Sequence, residues 1–452
     1  MSRSRTFLAV AALGAALLTT GAAGSAAQTQ DASSSPSVGP SPSPVVAGTP
    51  TTSPTLGPLA GIELLVRGTP DPGLVVADED LAAVVHGNTA FALDLYRQVA
   101  SSRGNLVLGP LSISTAMAME QMGARGVTAD QIAAAMHFDL PDDRLAAGFD
   151  RLDRELEGLA GPKVTVSLVN QLFGQQGHPF EDAFLATLSS RFGAPLAVVD
   201  YSDPEAVRLL INAWVASQTA DRIKDLLAPG ILSESTKLVV ANATYLKADW
   251  AQSFNAALTQ PRTFHLASGK TVKVPMMAAE EGFPIALGKG YRALELPYDG
   301  DRLAMLIVVP DDLAAFQQRL TADSYDAIVG ALHPRTLDLR LPRFAARASV
   351  DLAGPLKALG IVDAFDPALA DLSGISPEGL SVGAVVHQAF VEVAEKGTEA
   401  AAATVVESGD SGFERPPLDF RIDRPFLWFI RDRVTGSVLF MGRVEDPRDT
   451  VK

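Results

Sequence analysis

The hydrophobic pattern of this chain changes its period part-way along, and that change narrows the fold more than any other feature. Asn88 to Tyr96 (NTAFALDLY) carries apolar residues at helical spacing, with Phe91, Leu95 and the ring of Tyr96 on one side. Ser112 to Met122 (SISTAMAMEQM) reads as a second helix with a small-residue face, and further helices fit 180–193 and 205–220. Strand signals then take over. Lys237 to Asn242 (KLVVAN) and Leu303 to Val309 (LAMLIVV) are short apolar runs, and Leu337 to Leu341 (LDLRL) alternates with period two. A helix at 350–359 and strands to the end complete an α+β layout, distinct from an alternating βαβ chain.

The ends read differently from the middle. Residues 1–27 have the form of a secretory signal: Arg3 and Arg5, an apolar run from Phe7 to Leu18, then small residues leading to Ser25-Ala26-Ala27. From Gln28 to Pro58, 19 of 31 residues are Ser, Thr or Pro, a composition that cannot bury a core and reads as an extended tether. Within 59–80 one apolar stretch, Ile62 to Val66, suits a short strand, and folded sequence is expected from about Leu81 to the end at Lys452. The expectation is a secreted chain with a signal (1–27), a tether and extension (28–80) and one folded domain (81–452). No later apolar run is long enough to span a membrane. The chain has no cysteine, so its core must hold the fold without disulfides. The formal net charge of −15 argues against a nucleic-acid partner.

Catalysis is a poor fit. Gly409-Asp410-Ser411-Gly412 copies the letters around a trypsin-like nucleophile, but Phe413 follows where that motif has a second glycine, and Glu414-Arg415-Pro416-Pro417 reads as loop. A serine nucleophile also needs a base and an oxyanion hole. The nearest histidine context, Ala134-Ala135-Met136-His137, matches badly. No His-Glu-x-x-His pair exists, so no metal or other cofactor is expected, and the acid pairs Asp142-Asp143 and Asp311-Asp312 read as solvated turns. Gly269-Lys270-Thr271 fails as a phosphate loop, because Phe264 stands where the first glycine belongs; a turn between two strands suits it better.

Glu395 to Val406 (EKGTEAAAATVV) is the most unusual segment. Read with period two, Thr398, Ala400, Ala402, Thr404 and Val406 form an uncharged set, while Glu399, Ala401, Ala403, Val405 and Glu407 carry a charge at each end. Alanine is a poor strand former, so such a strand would have to fit a slot made by others; on these residues alone an alanine-rich surface helix remains equally open.

The wider sequence resembles the serpin family from about residue 84 to 448. Glu395-Lys396-Gly397-Thr398-Glu399-Ala400-Ala401-Ala402-Ala403-Thr404 resembles the hinge of inhibitory members, and Pro425-Phe426 with Val438 to Val444 (VLFMGRV) is similar to their C-terminal strands. Asn105 to Ile132, Asn212-Ala213-Trp214-Val215, Lys237 to Trp250, Val274-Pro275-Met276-Met277 and Leu294-Glu295-Leu296-Pro297-Tyr298 match in family order. The resemblance implies helices packed around three β-sheets with an exposed reactive loop. It also implies a monomeric serine protease inhibitor, not an enzyme, whose cleaved loop enters the main sheet as a new strand. A non-inhibitory serpin used for binding or carriage is the alternative, and the absence of bulky, charged or proline residues from Ala400 to Thr404 speaks against it.

Residue by residue, Ser112, Asn242 and His387 match the family's polar group where the central strands part, and Trp250 matches a tryptophan beside the hinge. Two departures stand out: Gly109 where serine is usual, which removes one hydrogen bond from that group, and Ala394 where asparagine is common. The family's scissile bond follows the residue sixteen positions after the hinge glutamate, which places it at Ser411-Gly412, with Phe413-Glu414 as runner-up. A small residue there suits elastase-like or subtilisin-like proteases. Acids throughout 138–161 give no support to heparin-like activation.

Overall fold

The computed structural model describes residues 59, 62–71, 73–100, 104–159, 162–398 and 416–449, all within one compact unit, Pro54–Lys452. Its helices are α1 (Asp78–Val99), α2 (Pro110–Gly123), α3 (Gly126–Met136), α4 (Asp142–Glu157), α5 (Asp182–Arg191), α6 (Pro204–Gln218), α7 (Leu313–Arg319), α8 (Ala322–Gly330) and α9 (Ala353–Ala358). The strands of the first half are β1 (Leu64–Leu65), β2 (Leu106–Leu108), β3 (Val164–Gln175), β4 (Leu196–Val199), β5 (Leu238–Asp249), β6 (Gln260–His265), β7 (Thr271–Gly288) and β8 (Tyr291–Pro297). The second half supplies β9 (Leu303–Pro310), β10 (His333–Pro342), β11 (Phe344–Asp351), β12 (Val385–Ala394), β13 (Gly397–Thr398), β14 (Leu418–Arg421), β15 (Phe426–Asp432) and β16 (Val438–Val444).

Seven strands form the main sheet in the order β1-β4-β3-β5-β13-β12-β11. The others form one nine-stranded network, joined by the long strand β7. One stretch of β7, Met276 to Ile285, pairs with β10, while its end, Ile285 to Gly288, pairs with β8. The three expected sheets are thus a seven-stranded sheet plus two that share a strand.

The main sheet lies between two cores, and β5 shows why its sequence reads as an apolar run. Its Leu238, Val240, Leu246 and Ala248 belong to the larger core, which also contains residues of α1 and α2. Val239, Ala241 and Ala243 belong to the smaller core with Ile211, Trp214 and Val215 of α6. A strand buried on both faces has no polar face to alternate with.

Several expectations shift. The folded body begins before Leu81, which lies inside α1, because Leu64 and Leu65 add to the main sheet against Leu196 and Ala197 of β4. Asp142 and Asp143 are not turn residues; they open α4, where carboxylates meet the positive end of the helix dipole. Asp312 caps α7 by accepting from the Ala315 amide. Gly269-Lys270-Thr271 does link strands β6 and β7, with Gly269 at φ +81°. Among the described residues no group of acids and histidines could hold a metal, and no helix is long and apolar enough to cross a membrane.

One core residue breaks the pattern. Glu120 on α2 is fully buried, and neither carboxylate oxygen has a hydrogen-bond partner. Burial pushes its pKa up to about 7, so it stays protonated in acid while the unfolded chain ionises near 4.5. The unfolded state therefore binds fewer protons between those values, and stability falls as pH rises from about 4.5 to about 7, by at most ~3 kcal/mol. Glu120→Gln, which keeps the size but cannot ionise, should remove this slope from a melting curve taken across that range. An unchanged slope would assign the loss to other groups.

Candidate functional site at the parted central strands

Strands β5 and β12 run parallel and are hydrogen-bonded from Val240↔Val385 to Tyr245↔Phe390. Beyond Tyr245 they part, and β13 stands between them. Thr398 pairs with Ala248 on one side and Val393 on the other; Gly397 pairs with Asp249 and Ala394. Gly397 and Thr398 of the expected hinge, two residues past its opening Glu395, are therefore strand, antiparallel to both neighbours. The rest of the expected hinge, Glu399, Ala400, Ala401, Ala402, Ala403 and Thr404, lies outside the described residues. So do Ser411, Gly412, Phe413 and Glu414.

The entry is held by several contacts. A Cβ on Gly397 would lie 2.1 Å from the Ala248 carbonyl oxygen and 2.6 Å from Asp249 Cα, so this strand can approach β5 only as glycine. The Thr398 side chain is fully buried, and its hydroxyl pairs with that of Tyr298 at 2.7 Å. The Tyr298 ring stacks on Trp250 with centroids 4.5 Å apart and planes 10° from parallel. Trp250 in turn holds the hinge root, donating from Nε1 to the Ala394 carbonyl (2.9 Å) and from its amide to the Lys396 carbonyl (2.7 Å). Ala394, where the family often has asparagine, thus contributes through its backbone.

Glu395 anchors the base of the hinge. Its Oε1 accepts from Arg343 Nε at 2.7 Å and from the Thr259 hydroxyl at 2.6 Å. Burial alone would raise its pKa, but these bonds outweigh burial and hold the carboxyl below its ordinary value. An open cavity of about 540 Å³ borders this base, lined in part by Phe254, Arg343, Phe344 and Glu395.

Below the entry lies a buried polar cluster. His387 and Asn242 are register partners across β12 and β5, and the Gly109 amide donates to His387 Nε2 at 2.9 Å. With Nε2 accepting, the ring proton sits on Nδ1 and is donated to Asn242 Oδ1 at 2.5 Å. Burial drives the His387 pKa down to about 3, so the ring stays neutral near neutrality. Asn242 Nδ2 donates to Ser112 Oγ at 2.7 Å and to Asn170 Oδ1 at 2.6 Å. The structure thus brings Ser112, Asn242 and His387 together and adds Asn170 of β3, opposite Asn242 in register. The signal for it was Asn170-Gln171 set between the apolar pairs Leu168-Val169 and Leu172-Phe173.

Gly109 explains its own departure. A Cβ there would lie 2.4 Å from Thr244 Oγ1, so the Thr244 side chain occupies the space a serine would need. The Thr244 hydroxyl itself has no hydrogen-bond partner.

A family model described as Serpin (serine protease inhibitor) matches residues 86–447. The chain belongs to the serpin family. It is 39% identical to the leukocyte elastase inhibitor of Bos taurus over 80% of this chain and 98% of that protein. A serpin-like protein of Thermococcus kodakarensis is 38% identical over 81% of this chain and 86% of its own. Among solved structures, native protease nexin-1 with heparin superposes with a TM-score of 0.72 at 31% identity, covering 81% of this serpin and all of that chain. These relatives agree with the α+β serpin fold and attach the chain to a family of protease inhibitors.

Two linked substitutions test the packing around Gly109. Gly109→Ala alone should cost about 1–3 kcal/mol of stability, because the new methyl overpacks Thr244. Adding Thr244→Ala should recover most of that loss in thermal melts. A single substitution without cost would show that the cluster yields easily at this point.

Proposed function

We propose that this serpin is a secreted, monomeric suicide substrate of serine proteases. The protease cleaves the loop after Thr398, an acyl-enzyme forms, and the freed loop enters the main sheet before the acyl bond is hydrolysed. The chain itself performs no catalysis in this reading; its work is a change of shape.

The observation that carries the proposal is the entry of Gly397-Thr398 between β5 and β12. Continuing that register down the same slot would place Ala400 between Leu246 and Val391, and Ala402 between Thr244 and Ala389. Thr404 would come between Asn242 and His387, and Val406 between Val240 and Val385. Directly opposed residues share a face, and Thr398 faces Ala248, which belongs to the larger core. The uncharged set would therefore enter that core, while Glu399 and its companions would face the side of α6.

Small residues suit this path. From Ala401 onward, each incoming residue must displace the direct pairing of β5 with β12 and replace it with two ladders, one on each side. A bulky side chain would have to push apart residues that are already fully packed. The net result is a gain of backbone hydrogen bonds and buried surface that an exposed loop lacks.

At strand spacing, Ser411 would arrive about 40 Å beyond Thr398, past the far end of β5. A protease joined to the Ser411 carbonyl would be carried that distance. The serine at this position, and the kinship with an inhibitor of leukocyte elastase, favour elastase-like or subtilisin-like targets with shallow pockets. The leader-like residues 1–27 support secretion.

Incubation with elastase-, subtilisin-, chymotrypsin- and trypsin-like proteases tests this directly. The expected product is an SDS-stable complex with at least one of the first two, together with a released C-terminal peptide whose mass begins at Gly412. If every protease cleaves the loop and remains active, the inhibitory reading is wrong. Ala400→Arg should turn the inhibitor into a plain substrate, because an unpaired guanidinium beside Leu246 and Val391 costs several kcal/mol to bury. Undiminished complex formation by that variant would count against insertion.

A further inference from the structure

The hydroxyl of Tyr298 is not needed to build the sheet. The Tyr298 ring is fully buried and stacked on Trp250 whether or not it bears an oxygen, and a buried phenol needs a partner only because the oxygen is there. That partner is Thr398 Oγ1, at 2.7 Å. Both groups are buried, so the bond is shielded from water, and losing either oxygen would strand the other.

We propose that the Tyr298 hydroxyl is a latch that keeps hinge residues Gly397 and Thr398 inside the main sheet before any protease arrives. β13 is only two residues long, and its antiparallel pairing extends no further among the described residues. Two residues make a weak strand by themselves. Backbone pairing supplies the direction of entry, the missing Cβ of Gly397 supplies the room, and the Thr398–Tyr298 bond fixes which residue faces the core. A slip of one residue would turn Thr398 away from Tyr298 and bring the charged Glu399 to the core face.

Tyr298 is thus a positioning residue: it acts through Thr398, and insertion begins from a register that is already chosen. Loop closure and strand alignment are the slow, entropically costly part of strand addition, and here they are settled in advance. This inference rests on the insertion mechanism proposed above, but the latch itself can be observed without any protease.

The test uses the full chain with Tyr298→Phe, Thr398→Val and the double variant. Each single change keeps the side-chain volume and removes one oxygen. Hydrogen exchange followed by mass spectrometry should show the amides of Gly397 and Thr398 exchanging at least about fivefold faster in every variant. Amides of β5 between Val239 and Tyr245 should keep their wild-type rates. The double variant should exchange no faster than either single one, because the bond is gone in each and the double leaves no stranded hydroxyl. Against a protease that the wild type inhibits, the number of inhibitor molecules consumed per enzyme should rise about twofold or more, with the association rate unchanged. Faster exchange spread evenly over the sheet, or strictly additive singles, would mean a general packing role and overturn the latch. Unchanged exchange at Gly397 and Thr398 would overturn it outright. If the wild type inhibits no protease, the inhibitory reading fails, while the exchange pattern still decides whether the latch exists.

Discussion

The parallel pairing of β5 with β12 governs the rest of this molecule. Six residue pairs, Val240↔Val385 to Tyr245↔Phe390, hold the two strands together at the centre of the main sheet. Parallel strands cannot be joined by a tight turn, so the chain that separates them must cross elsewhere, and here it builds most of the second sheet network on the way. The seam is also incomplete. A strand from the intervening hinge would satisfy both edges antiparallel, which is the more stable ladder per residue. In the proposed mechanism, the described state is one in which that strand occupies only the top of its place, at Gly397 and Thr398.

The polar cluster under the seam fits that condition. Buried hydrogen-bonding groups are costly when unpaired, and His387, Asn242, Ser112, Asn170 and the Gly109 amide form a closed set across β12, β5, α2 and β3. Such a set resists slippage of β5 against β12, since a shift by one residue would strand several partners together. If the strands separate as proposed, these shared bonds would be lost together. Thr244 beside it stays unpaired, a native-state cost at the same seam. The depressed pKa of His387 belongs to the same logic, because a neutral ring can both donate to Asn242 and accept from Gly109.

Much of this was legible in the sequence where a pattern has one physical meaning. The helical periodicity foretold α1, α2, α5 and α6, but the helices-first order missed β2, β3 and β4, which lie among those helices. The runs at Lys237 and Leu303 foretold β5 and β9, each buried on both faces. The α4 helix was obscured because its acids, Asp142, Asp143, Asp150, Asp153, Glu155 and Glu157, mask a helical apolar set at Leu145, Phe149, Leu152 and Leu156. At the site, the motif letters named Ser112, Asn242, His387 and Trp250. The motif Leu294 to Tyr298 included Tyr298 but gave it no role, and Arg343, Thr259 and Asn170 were not named at all; their roles come from approaches between segments far apart in sequence. The period-two reading of the hinge left helix and strand even; only the pairing of Thr398 with Ala248 and Val393 separates them, at Gly397 and Thr398.

Glycine and alanine at the hinge then take on a single explanation. Under the proposed insertion, a segment that begins as a loop and ends as a central strand cannot carry strong strand formers, or it would enter the sheet at once. Nor can it carry large side chains, because the slot lies between packed cores. Gly397 meets the tightest point, where even a methyl group collides with the β5 backbone. Thr398 is the first residue with a side chain that the slot can hold firmly, and it does so through one hydroxyl pair with Tyr298. The segment is thus weakly strand-forming along its length and firmly held at its root. In the proposed mechanism, that combination would set where entry starts while leaving its progress to the event that frees the other end.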